Sequence, residues 1–325
     1  MMNFAKYFRI SVTKNCNLNC YYCHREGNFT NSNVELTADD FAFVCSAALQ
    51  IGFKKFKLTG GEPTVREDIC EIIEKLSALN LPDLSMITNG TRLADISAKL
   101  WQAGLRRLNV SLNTLNPERF QIIQCGENFF KNSSADSNSA EKYSKTLQKI
   151  LRGIEVARQT GFKNMKLNFV YSTDESLRDL KDLIIFSAEH DCILVLLPVI
   201  EKNFYCTLDY LYDLIKSFGI IREEIITDSE GIRKRLVYLK NSGRVLLRVD
   251  ELANCKPYIF CEKCLQKKIC REGIFPVRLS SDGVIIPCMA SQENRINVFD
   301  FIKCRDRENL ISTFEKVKRW QDVKK

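Results

Sequence analysis

The chain has 325 residues, 45% of them hydrophobic and 27% charged, with a formal net charge of +8. Those proportions exclude a disordered or collagenous chain and describe a globular protein of one large domain, or one domain with an appendage. The basic balance suits an anionic small-molecule partner and serves solubility equally well; the lysines and arginines are too dispersed for a nucleic-acid module.

From the N-terminus, residues 1–10 hold neither a long apolar core nor a small-residue cleavage site, so no signal peptide is expected. Fourteen cysteines without such a signal point to metal or redox chemistry in a reducing cytoplasm, not to a disulfide frame. Strands are expected at residues 7–12, 54–59, 83–88, 107–112, 164–170 and 192–198. The first helix opens at Thr37, where Asp40 is spaced for a capping box and Leu36 and Phe41 for a hydrophobic staple. Further helical patterns lie at 69–79, 94–103, 117–124, 147–159 and 177–189. Six β–α alternations imply an α/β fold with a parallel sheet and right-handed crossovers. Residues 126–144 interrupt the pattern with a polar run expected to be a mobile insertion. No stretch approaches a membrane span, and the longest apolar run, 193–200, contains Pro198 and reads as a buried strand.

Beyond residue 204 the character changes. A helical segment at 207–218 precedes a hairpin signal, in which 235–240 and 244–249 flank Asn241, Ser242 and Gly243. A cysteine-dense stretch, Cys255 to Cys288, and a final amphipathic helix follow. The expected division is therefore 1–204 and 205–325.

The chemistry concentrates in Cys16, Cys20 and Cys23. Their spacing lets one short loop wrap a compact centre, and thiolates select zinc, copper(I) or iron–sulfur. Zinc would need a fourth ligand, and His24, adjacent to Cys23, makes that geometry strained. Three thiolates without a fourth suit a 4Fe-4S cluster with one iron open, because electron-storing clusters are closed by four cysteines. Gly60, Gly61, Glu62 and Pro63 follow the apolar run 56–58. Glycines let backbone approach a ligand, and Glu62 supplies a charge for an ammonium. A second set, Cys261, Cys264, Cys270 and Cys288, could hold structural zinc or a second 4Fe-4S cluster. Cys45, Cys70, Cys125, Cys192 and Cys206 read as buried small residues.

The three-cysteine spacing, with Tyr22 before its last member and Gly60 to Pro63 after it, resembles the signature of the radical S-adenosylmethionine (SAM) enzymes. The resemblance implies a partial (β/α)6 TIM-like barrel with chemistry at the C-terminal ends of its strands. It implies that Cys16, Cys20 and Cys23 hold the cluster and that Gly60, Gly61, Glu62, Thr88, Asn89 and Ser111 meet SAM. It further implies reductive cleavage of SAM to a 5′-deoxyadenosyl radical that abstracts hydrogen, fed by a donor such as flavodoxin or ferredoxin. With that front end, a second 4Fe-4S cluster on Cys261, Cys264, Cys270 and Cys288 is favoured, in a twitch- or SPASM-like C-terminal auxiliary-cluster domain.

The order of parts is most similar to the GTP 3′,8-cyclase family of molybdenum cofactor biosynthesis. The similar runs are 8–13, 59–63 with Arg66, 88–90, 108–112, 116–120, 166–168, 260–264 and 278–288. They imply that Arg9, Lys57, Arg66 and Arg278 serve an anionic, nucleotide-like substrate. The chain departs from that pattern in carrying Pro276 and Val277 before a single Arg278, and Cys192 to Val195 where the family has Arg-Phe-Ile-Glu. It also has ten extra residues between Cys264 and Cys288 and ends in Lys324 and Lys325 where the family has two glycines. The lost arginine and the uncharged Cys192 to Val195 remove charge that a triphosphate would use. A peptide-modifying maturase and a non-catalytic iron–sulfur or zinc protein are the alternatives.

Overall fold

A computed structural model describes residues 7–27, 34–125, 137–171, 174–199, 208–227, 233–248, 261, 276–289 and 294–320. The first half alternates strand and helix: β1 (Tyr7–Thr13), α1 (Ala38–Gln50), β2 (Lys55–Gly60), α2 (Ile69–Ala78), β3 (Leu84–Thr88), α3 (Leu93–Gln102), β4 (Arg107–Ser111) and α4 (Pro117–Cys125). Then come α5 (Ser137–Thr160), β5 (Lys166–Tyr171), α6 (Asp174–Glu189) and β6 (Ile193–Pro198). Strands β1 to β6 lie side by side in chain order, each parallel to the next. This is the α/β architecture that the alternation implies.

The remainder of the described chain extends both edges of this sheet. Helix α7 (Leu208–Lys216) leads to β7 (Ile220–Thr227), β8 (Arg233–Leu239) and β9 (Arg244–Arg248). Of these, β9 joins β6 in parallel, and β8 and β7 follow as antiparallel neighbours. At the opposite edge, β10 (Val277–Leu279) pairs with β1 in parallel, followed by antiparallel β11 (Val284–Ile286) and β12 (Ile296–Asn297). Helices α8 (Phe299–Lys303) and α9 (Arg307–Trp320) close the chain. Two expectations are corrected. Residues 137–144, read as part of a polar insertion, form the first turns of α5, and residues 126–136 lie outside the described residues. Strand β7 is an addition, because Arg222, Glu223 and Glu224 break the apolar alternation that would have marked it.

The sheet separates an apolar face from a polar one. In β1, Phe8, Ile10 and Val12 are fully buried. Phe8 meets Phe53, Phe56 and Phe314 with ring centroids 5.4, 6.2 and 5.4 Å away. Burying each such side chain stabilises the fold by about 1.5–3 kcal/mol. Helix α1 contributes Phe41, Val44 and Ala48 to the same core, and its capping box forms as the sequence implies: Asp40 N–H donates to Thr37 Oγ1 and Thr37 N–H to Asp40 Oδ2. Because side chains alternate along a strand, the intervening residues share the other face. Register aligns Arg278, Arg9 and Lys57 across β10, β1 and β2, and Asn109 with Lys166 and Ser111 with Asn168 across β4 and β5. Among the described residues no helix is long and apolar enough to cross a membrane.

Candidate active site

The three cysteines occupy the loop that leaves the C-terminal end of β1, beside the ends of β2 and β3. The loop is tied down on two sides. Tyr21 N–H donates to Ile123 O at 3.0 Å, Asn19 N–H to Gln124 Oε1 at 3.1 Å, and Gln124 Nε2 to Cys20 Sγ at 3.3 Å, all on α4. On the other side Asn17 Nδ2 donates to Thr91 Oγ1 and Asn89 Nδ2 to Asn17 Oδ1, each at 2.8 Å. Backbone N–H groups of Leu18 and Arg25 point at Cys16 Sγ and Cys23 Sγ, both at 3.4 Å. Burial pushes the Cys16 thiol up to about 11, with the Leu18 N–H pulling the other way and Cys20 and Cys23 close enough to repel a second thiolate. Cys20 is raised by the same burial.

The Gly60–Gly61 turn packs directly on this loop. Gly61 N–H donates to Thr13 O and Glu62 N–H to Asn15 O, both at 2.8 Å. A Cβ on Gly61 would stand 2.1 Å from Asn15 O, and one on Gly60, where φ is +131°, 2.2 Å from Thr13 O. The close approach that these glycines allow is therefore to the cysteine loop's own backbone.

Glu62 is 1% exposed. Its Oε1 accepts from Thr64 N–H (3.0 Å), Thr64 Oγ1 (2.6 Å) and Thr88 Oγ1 (2.6 Å), and its Oε2 from Asn89 N–H (2.6 Å). Every one of these donors is neutral. Burial raises the Glu62 carboxyl above its ordinary value, and the four donors only partly offset that. A buried carboxylate held by neutral donors is a place for a cation. A cavity of about 620 Å³ is lined by Thr13, Cys16, Asn17, Glu35 and Arg66 among others, with Glu62 not among its lining residues, a volume in the range of ordinary cofactor sites.

The basic residues divide into two groups. Arg66 is turned inward: it pairs with Asp68 (Nε to Oδ1 2.6 Å, Nη2 to Oδ2 3.0 Å) and donates to the carbonyls of Val12 and Leu36. It braces the end of β1 and the approach to α1 while also lining the cavity. Arg9, Lys57 and Arg278 do share the polar face. Arg9 and Arg278 both pair with Glu26, Arg278 Nε at 3.4 Å from Oε2. Lys57 lies 5.6 Å over the Tyr7 ring. Burial, then the Arg9 and Arg107 charges, lowers its ammonium to about 7. Lys166, which sequence reasoning had not singled out for the site, is lowered to about 8 by burial and then by Lys57. Ser111 is half-buried at the end of β4, aligned with Asn168.

Cys261 and Cys288 are both half-buried, whereas Cys255, Cys264 and Cys270 lie outside the described residues. Among the described residues no three His, Cys, Asp or Glu side chains gather closely enough for a single metal ion. The thiolates of a cubane each bind a different iron and stand further apart than the ligands of one ion. Three thiols in one loop are a donor set that suits such a cluster, and the buried Glu62 carboxyl is a counter-charge that suits an ammonium such as that of SAM. Glu26 and Gln124 were missed in the sequence, since a single residue in a loop or on a helix carries no periodic signal.

Comparison with known proteins shows the family. Residues 10–186 match the Radical SAM superfamily. The chain belongs to that superfamily and is a radical SAM enzyme, which sets aside the non-catalytic alternative. It is similar to the "Probable GTP 3′,8-cyclase" of Methanococcus aeolicus, 32% identical over 325 residues that cover 94% of this chain and 96% of the relative. The protein of the same name from Methanocaldococcus jannaschii is 30% identical over 308 residues, covering 93% and 90%. In fold it resembles Streptococcus suis SuiB bound to S-adenosylmethionine, with a TM-score of 0.61 at 15% identity, covering 96% of this chain and 68% of that one. It also resembles anSMEcpe with bound AdoMet, with a TM-score of 0.58 at 18% identity, covering 97% and 82%.

Proposed function

We propose that this enzyme holds a 4Fe-4S cluster on Cys16, Cys20 and Cys23, binds SAM beside it, and acts on an anionic, nucleotide-like substrate. The reaction that its relatives' names indicate is the joining of C3′ and C8 of GTP. The observation that carries this reading is the pairing of two unlike environments. One is the buried Glu62 with no cationic donor among its described contacts, beside Cys16. The other is the cationic face formed by Arg9, Lys57, Lys166 and Arg278.

Bound there, the cluster and SAM would supply radical hydrogen abstraction, the hard chemistry that a fold delegates to a cofactor. The chain's own residues bind and orient. Glu62 receives the SAM ammonium, held rigid by Thr64, Thr88 and Asn89. Gly60 and Gly61 keep that turn pressed against the loop, and Asn89 and Ser111 present polar groups from the ends of β3 and β4. Arg9, Lys57 and Arg278 face the substrate's anionic part. A second 4Fe-4S cluster on Cys261, Cys264, Cys270 and Cys288, in a unit spanning 205–325 beside a core of 1–204, completes the reading, with flavodoxin or ferredoxin as electron donor.

Forming a C3′–C8 bond requires hydrogen to leave C3′. The reduced holoenzyme, given SAM and GTP deuterated at C3′, is expected to release 5′-deoxyadenosine carrying deuterium. Release of 5′-deoxyadenosine without deuterium would exclude GTP as the hydrogen donor while leaving the superfamily assignment intact.

A further inference from the structure

Cys20 differs from the other two cysteines of its loop in what reaches its sulfur. Cys16 Sγ and Cys23 Sγ are each met by a backbone N–H two residues on, from Leu18 and Arg25 at 3.4 Å, and Asn89 Nδ2 stands 4.0 Å from Cys16 Sγ. Cys20 Sγ is met by two side chains. Gln124 Nε2 donates to it at 3.3 Å, and the Tyr22 hydroxyl is hydrogen-bonded to it as well. Backbone groups fix the direction of both donors. Asn19 N–H donates to Gln124 Oε1 at 3.1 Å, which turns the NH2 end of that amide to the sulfur. Val170 N–H of β5 donates to Asn113 Oδ1 at 2.7 Å, and Asn113 Nδ2 donates in turn to the Tyr22 oxygen, leaving the hydroxyl hydrogen for Cys20. A thiol could also donate to Gln124 Oε1, 3.7 Å away, but a thiolate ligand only accepts. Gln124 is 4% exposed on α4, where an amide donor without a partner would be costly.

We propose that Gln124 and Tyr22 are positioning residues that raise the reduction potential of the N-terminal cluster through Cys20, with Asn19 and Asn113 holding them in line. The proposal rests on the reading that Cys16, Cys20 and Cys23 hold that cluster. One electron entering a thiolate-bound cluster adds one negative charge, part of which falls on the ligand sulfurs. Hydrogen bonds to those sulfurs help to set such potentials, because they stabilise the reduced form more than the oxidised one. The same partners also orient the ligand they touch, and here both act on a single cysteine. Helix α4 and the residues after β4 thus tune the cluster from opposite sides without contributing a ligand.

The test is a potentiometric titration of the anaerobically reconstituted holoenzyme in wild type, Tyr22→Phe and Gln124→Met. It follows the EPR signal of the reduced cluster that changes when SAM is added, which separates this cluster from any other. Tyr22→Phe deletes one donor and leaves the tie between Asn19 and Gln124 intact. It is expected to make reduction about tenfold less favourable, the lower end of the worth of a hydrogen bond to a charged group. For one electron that is a potential about 59 mV more negative. Gln124→Met is expected to shift the potential in the same direction by a similar amount, with iron content unchanged. A purely structural role predicts a lower melting temperature or lost iron at an unchanged potential. If Tyr22→Phe keeps its reduction equilibrium within about twofold of wild type, or shifts it the other way, the proposal is overturned while the cluster reading stands. If Gln124→Met does not hold the cluster, Tyr22→Phe alone decides. A wild type without a SAM-responsive signal, or a signal that survives in Cys20→Ala, would overturn the cluster reading and the proposal with it.

Discussion

The turn at Glu62 and the triad at Glu26 both border the cysteine loop, and their electrostatics are opposite. Glu62 is buried among neutral donors, and burial raises its carboxyl. Glu26 is equally buried but lies between two guanidinium groups, and its carboxyl falls to about 2. A buried charge is tolerated only when something neutralises it. At Glu26 the chain supplies the neutralising charge from β1 and β10; at Glu62 the described contacts leave it to a cation from outside. One side of the loop is thus suited to a cationic cofactor group and the other is already ordered for an anion.

The largest effect that could break this division is loss of the loop itself. Cys16→Ala, Cys20→Ala and Cys23→Ala are each expected to abolish SAM cleavage and to remove about four of about eight irons per chain, the count for two four-iron clusters. Iron analysis and 5′-deoxyadenosine assays check this. Continued SAM cleavage in any of the three would mean that the loop is not the cluster site.

Gly61→Ala tests the contact between the turn and the loop. Its Cβ would meet Asn15 O at 2.1 Å, and backbone cannot yield as a side-chain tip can. Overpacking of this kind costs about 1–3 kcal/mol. A lower melting temperature and weaker SAM binding are expected together; unchanged SAM affinity would separate the turn from the cofactor.

Thr88→Val removes one of the four donors to Glu62. Hydrogen bonds to charged groups are worth about 1.5–3 kcal/mol, so stability should fall by that order at neutral pH. Calorimetry at two pH values sharpens the point. The native carboxyl holds its proton to higher pH than the unfolded one, so Glu62 contributes least stability once it is ionised, and the deficit of the variant should shrink as pH falls through the raised value.

Lys57 carries the smallest expected effect on affinity. Its native ammonium titrates at about 7 instead of 10.5. Between those values the unfolded chain binds the extra proton, so stability gains from this group as pH rises through that window. Affinity for an anionic substrate should move oppositely, weakening several-fold above pH 7 as Lys57 loses its charge, and Lys57→Met should flatten the profile. A profile that is unchanged in Lys57→Met would place Lys57 away from the substrate.

Much of this was legible in the sequence, for physical reasons. Six strands and their helices could be read because a parallel sheet demands apolar runs between amphipathic helices, and Thr37 with Asp40 announces the start of α1. Cys16, Glu62, Asn89 and Ser111 fall at strand ends, where a βα repeat puts them. The start of α5 was hidden because Ser137, Asn138 and Ser139 carry no apolar stripe. β7 was hidden by its central charges, and the pairing of β10 with β1 is a long-range contact that no local pattern encodes. Arg9 and Arg278 were read as facing substrate, but Glu26 between them has no periodic mark and emerges only when the two strands lie together.

The comparison of the two glutamates reduces to one measurement: equilibrium SAM binding to reconstituted wild type, Glu62→Gln and Glu26→Gln under identical conditions. If Glu62 receives the SAM ammonium, Glu62→Gln should lose roughly ten- to a hundredfold in affinity, the equivalent of a charge-assisted hydrogen bond. Glu26→Gln removes a carboxylate that pairs with Arg9 and Arg278 within the chain and should bind SAM within about twofold of wild type, since sites without shared partners act additively. Equal losses in both variants, or a loss confined to Glu26→Gln, would contradict the assignment of the cofactor to the Glu62 side of the loop.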